Sequence, residues 1–84
     1  MGLVMKVTVN NVINLWFGDD TPIRQYKIKM NPLLWATCQR VSQTFISPSG
    51  AVTPKQYRKS DKVAFAQVVQ RELLTRRLMT DTVR

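Results

Sequence analysis

Eighty-four residues suffice for one small domain, near the lower end of what buries an adequate core unaided. Hydrophobic content of 44% argues for a folded chain, while a single cysteine (Cys38) and no histidine exclude an internal disulfide and leave no metal motif. No apolar run approaches membrane-spanning length, so no membrane segment is expected, and a reducing cytoplasm is the expected setting. Thirteen basic against five acidic residues give a net charge of +8, distributed unevenly. Residues 1–23 hold one base and two acids, net −1; residues 24–84 hold twelve bases and three acids, net +9. That asymmetry favours a polyanionic partner.

In chain order, Leu3-Val4-Met5-Lys6-Val7-Thr8-Val9 has the β-branched content of a strand. Asn10-Asn11 signals a turn. Val12-Ile13-Asn14-Leu15-Trp16-Phe17 reads as a second strand or as a turn of helix, being too short for periodicity to decide. Gly18-Asp19-Asp20-Thr21-Pro22 is a break. Residues 1–22 are therefore read as an N-terminal β extension, with Trp16 and Phe17 as core residues.

Ile23 apart, the central stretch, residues 23–30, alternates: Tyr26, Ile28 and Met30 on one side, Gln25, Lys27 and Lys29 on the other. A period of two predicts a strand with one buried face. Its polar face carries an amide and two ammonium groups and no acid. Asn31 reads as a helix N-cap and Pro32 as the first helical residue, so a helix over 32–44 follows almost without a loop. Leu34, Cys38, Val41 and Phe45 form its apolar stripe, widened by Leu33 and Trp35. Residues 46–54 are loop by composition, and residues 55–59 form a short turn capped by Thr53. A second helix starts at Ser60 as N-cap, with Asp61 at the positive end of its dipole. Phe65, Val69, Leu73 and Arg76 repeat along it to about Met79, and residues 80–84 form a frayed tail.

Catalysis finds little support. Acid–base chemistry needs a histidine or a sheltered carboxylate pair, and Asp19-Asp20 sits in a turn. Cys38 lies on an apolar stripe, and three glycines make no phosphate loop. No catalytic residue, metal ligand or cofactor is expected, and the chain reads as a binding protein.

Gln25-Tyr26-Lys27-Ile28-Lys29-Met30 running into a helix, and Lys59-Ser60 ahead of a second, resemble the ribbon-helix-helix repressors of the Arc and MetJ type. The resemblance covers roughly residues 23–79. It implies a central strand and two helices, which with the N-terminal strands read above make an α+β fold, and two chains pairing central strands into a ribbon that enters the DNA major groove. It further implies a homodimer that binds double-stranded DNA, as a transcriptional repressor or a relaxosome accessory factor. Gln25, Lys27 and Lys29 would then meet base edges, Gln suiting adenine and Lys guanine. Lys55, Arg58, Lys59, Ser60 and Lys62 would contact phosphates at the start of the second helix. The long inter-helix loop, the acid at Asp61 and the extra N-terminal strand depart from that family's pattern.

The competing expectation is a three-stranded antiparallel meander backed by two helices. In it Lys27 and Lys29 face water or an acidic protein surface, as in a small basic phage protein that inhibits host transcription or defence machinery. RNA binding is the weaker third reading, because no exposed aromatic platform is evident.

Overall fold

The computed structural model describes residues 7–18 and 21–75, and the first of these enter a helix, α1 (Val9–Phe17). Thr8 is its N-cap, the Oγ1 accepting from the Asn11 N–H at 3.1 Å. Val9, Val12, Ile13, Trp16 and Phe17 fall at i, i+3, i+4, i+7 and i+8, one apolar face of a helix. Val12 and Leu15 are fully buried on it. At Gly18, the C-cap, an added Cβ would run into the Asn14 carbonyl, so the chain closes there on a residue without a side chain.

The stretch read as the central strand is also helical: α2 (Pro22–Met30). Thr21 caps it, accepting from the Arg24 N–H, and Pro22 takes the first turn, where its missing N–H costs nothing. An alternation of six residues spans less than two helical turns, so periods of 2 and 3.6 both fit it. Arg, Gln, Lys and Met are all good helix formers, and Lys27 and Lys29 in the last turn complement the dipole. Local preference and capping therefore make a helix available where the alternation alone would suggest a strand, and the hold of Arg24 on Leu15 of α1 decides between them. Asn31 closes α2, its N–H donating to the Lys27 carbonyl, and opens α3 (Pro32–Ser42), its Oδ1 accepting from the Leu34 N–H at 3.2 Å. The cap at Asn31 and Pro32 as first helical residue stand as the sequence predicts. The helix ends at Ser42, earlier than the predicted 44, because Gln43 and Thr44 tighten into bonds to the carbonyls three residues back.

After a 3₁₀ turn (Pro54–Gln56), α4 (Lys59–Thr75) completes the order. Phe65, Val69 and Leu73 are buried on it as expected, with Ala66 alongside. Its stretch beyond Thr75 and the tail at 80–84 lie outside the described residues, as does most of the predicted strand at 3–9.

The expected α+β fold is thus overturned. Among the described residues there is no strand, and residues 9–17 and 22–30 are helices. The ribbon-helix-helix arrangement needs a strand, and so does the meander; neither is present. The core also closes within one chain. Helices α1, α3 and α4 pack on one another, and α2 lies against α1 and α3 without touching α4. The buried set is Val12, Leu15, Leu34, Cys38, Val41, Phe65, Ala66, Val69 and Leu73. The strand through which the resemblance would pair two chains is not found among the described residues.

Phe65 is the hub. Its ring meets Phe17 at 5.2 Å and Phe45 at 5.3 Å, both edge-on, and stacks toward Trp16 at 6.1 Å. Trp16 in turn leans on Trp35 at 4.8 Å, while Tyr57 bridges Phe17 and Phe45. Buried Thr37 satisfies its hydroxyl by donating to the Leu33 carbonyl one turn back. Arg24 fastens α2 to this body: its Nε donates to the Leu15 carbonyl at 2.8 Å, and its guanidinium lies over the Trp35 ring.

Candidate nucleic-acid interface

The basic corner is built on a loop that folds around one carboxylate. Ser47-Pro48-Ser49-Gly50 forms a turn closed by the Gly50 N–H donating to the Ser47 carbonyl at 3.0 Å. Gly50 has φ +82°, a left-handed conformation that favours glycine. The turn aims its polar groups at Asp61. The Asp61 carboxylate accepts from the Ser49 N–H (3.1 Å), the Ser49 hydroxyl (2.6 Å) and the Arg58 N–H (2.9 Å). The Ser47 and Ser49 hydroxyls lie 3.0 Å apart behind it.

These bonds hold the Asp61 carboxyl at about 2, below its ordinary 3.8. The Ser49 hydroxyl is the largest cause, and the Arg58 N–H, the Ser47 hydroxyl and the Ser49 N–H add to it, against an opposing effect of burial. Arg58, whose carbonyl receives the Asp61 and Lys62 N–H groups, occupies the N-cap of α4. Ser60, the predicted cap, is instead an exposed residue of the first turn. Asp61 reaches back to the N-cap N–H, as the acid of a capping box does.

Lys55, Arg58 and Lys59 project from this pinned backbone into solvent. Lys62 is half-buried, its Nζ 5.5 Å from the centre of the Phe17 ring. Lys55 and Lys62 line one shallow depression with Trp16, Phe17 and Pro54. The structure therefore brings Lys55 and Lys62 to one depression with two aromatic rings, and holds Arg58, Lys59 and Ser60 at the positive end of the α4 dipole. The two described acids on this side of the chain are both engaged internally. Asp61 is buried in its hydrogen bonds, and Glu72 pairs with Arg40 at 3.3 Å.

The residues expected to read bases are not brought together. On a helix Gln25 and Lys29 lie one turn apart on an exposed side, while Lys27 points elsewhere, half-buried beside a second depression lined by Asn14, Gly18, Thr21, Ile23 and Arg24. None of the three lies on a strand, so the ribbon geometry that gave them a common groove is absent.

Two features escaped the sequence reading. The burial of Asp61 depends on Ser49, twelve residues away, and no local pattern announces that pairing. Trp16 and Phe17 come to the Lys62 corner only because α1 packs on α4. Cys38, by contrast, sits where its stripe placed it, and burial pushes its thiol up to about 12, which leaves it an unreactive core residue. No helix among the described residues is long and apolar enough to cross a membrane. Compared with protein-family models, curated proteins and solved structures, the chain matches none.

Proposed function

We propose that the chain binds nucleic acid, with duplex DNA as the first candidate, by neutralising backbone phosphates at Lys55, Arg58, Lys59 and Lys62. The observation that supports this reading most is the concentration of four cations in residues 55–62, on a backbone held at Arg58 by Asp61 and around Lys55 by the hydrogen bonds of the 3₁₀ turn. Long flexible side chains on a fixed base engage phosphates without first ordering the loop beneath them. The exposed N-terminal turn of α4 adds dipole, and the Asp61 charge that opposes it is shared among its hydrogen-bond donors. Contacts of this kind set position and affinity and carry no base sequence.

Titrating a random-sequence duplex at low and physiological salt tests the reading. Lys55→Ala/Lys59→Ala should weaken binding and flatten its salt dependence, whereas Lys27→Ala/Lys29→Ala on α2 should do so much less. Equal losses from both pairs would remove the assignment to this corner, and no binding at low salt would remove nucleic acid altogether.

A further inference from the structure

Helix α2 has complete caps and no buried residue. Ile28 packs against the core, but three other large apolar side chains face solvent: Ile23 is 68% exposed, Tyr26 57% and Met30 45%. Their spacing, i, i+3 and i+7, places them in one stripe along the helix. Exposed apolar side chains scattered singly are ordinary, whereas a contiguous apolar row flanked by charge marks an interaction surface.

The stripe has defined edges. Successive helical positions turn by about 100°, which sets Lys27 on one side of the stripe and Lys29 on the other. No acidic residue occurs in α2. The helix is held from behind by Arg24, on the Leu15 carbonyl and the Trp35 ring, and by Ile28 against the core, while the row of Ile23, Tyr26 and Met30 stays outward. Its Thr21 and Asn31 caps fix the helix before any partner arrives, which lowers the ordering cost of docking.

We propose that α2 docks into an apolar groove rimmed by carboxylates on a second protein. Ile23, Tyr26 and Met30 fill the groove, and Lys27 and Lys29 meet its two acidic rims. The three-anchor spacing is the one by which helices are read in grooves. Charge complementarity selects this occupant. A second copy would bring its own Lys27 and Lys29 toward these, on chains of net charge +8 each. A lipid surface binds helices whose side opposite the apolar one is strongly charged, whereas the opposite side of α2 carries Ile28, packed on the core. The surface is separate from the basic corner on α4, which α2 does not touch.

The probes are two versions of one designed helical-hairpin protein, with a leucine-lined groove rimmed by glutamates or by lysines. Titration into isotope-labelled chain, followed by amide chemical shifts, locates the contact. The glutamate-rimmed probe should shift residues 23–30 and bind in preference to the lysine-rimmed one. Ile23→Ser/Met30→Ser should weaken it about tenfold or more, the usual effect of losing buried anchors. Lys27→Glu/Lys29→Glu should reverse the preference between the two rims. Ile23, Tyr26, Lys29 and Met30 are exposed and Lys27 is half-buried, and an unchanged circular dichroism spectrum confirms that the variants fold. Absence of binding, equal binding of both rims, or shifts confined to other helices would overturn the proposal. So would self-association abolished by Tyr26→Ser, or tighter α2-dependent binding to phosphatidylglycerol vesicles than to the glutamate-rimmed probe.

Discussion

Replacing Phe65 by alanine tests the packing on which everything else rests. The ring is 1% exposed and lies among Trp16, Phe17 and Phe45. Truncating a buried phenylalanine costs about 3–5 kcal/mol, depending on how far the site collapses. Here collapse is restricted. Trp16 is held by Trp35, and Phe17 and Phe45 are both held by Tyr57, so the surrounding rings have other contacts to lose if they move inward. A loss of about 4 kcal/mol is expected, a large share of the roughly 5–15 kcal/mol that a domain possesses. At about 4–8 °C per kcal/mol for a domain of this size, the Tm should fall by roughly 15–30 °C. Urea and thermal unfolding followed by far-ultraviolet circular dichroism measure it. Tyr26→Ala is the internal control: a strand with Tyr26 in its core would make this change severe, whereas on the exposed side of α2 it should stay within about 0.5 kcal/mol. If Phe65→Ala costs under about 1 kcal/mol, or the two variants lose equally, the helical packing described above is wrong.

Asp61 makes acid stability diagnostic. Its carboxyl titrates lower in the folded chain (about 2) than its ordinary 3.8, so its contribution is present above that ordinary value and is lost as pH falls from 3.8 toward 2. Asp61→Asn should lower the Tm near neutrality and flatten this acid limb; an unchanged limb would show that the carboxylate is not bonded as described. Asn31→Ala, which removes the α3 cap, should cost about 1 kcal/mol in urea unfolding, with Asn31→Asp largely spared. Gly50→Ala meets open space but a left-handed φ, so about 1–2 kcal/mol should be lost from backbone strain, measurable by the same method. If all four basic-corner side chains neutralise phosphates, replacing them together with alanine should reduce the log–log salt slope of duplex binding by about 3–4, at about 0.9 per phosphate.

The elements legible in the chain are those with long repeats and local punctuation. In α3 the Asn31-Pro32 start and the Leu34, Cys38, Val41 stripe repeat over enough turns to exclude other periods. In α4 Phe65, Val69 and Leu73 do the same. The basic corner was legible as a run of charge, since Lys55, Arg58, Lys59 and Lys62 are close in the chain itself. Tertiary structure decided the rest. Residues 9–17 and 22–30 are short, and an apolar–polar pattern of six residues satisfies a strand and a helix alike; packing of α1 on α3 and α4, and the bridge from Arg24 to Leu15 and Trp35, select the helix. That selection divides Gln25, Lys27 and Lys29 between faces and gathers Ile23, Tyr26 and Met30 onto one. The fate of Asp61 likewise rests on Ser49 across a twelve-residue separation, because a hydrogen bond between distant residues leaves no period in the chain to be read.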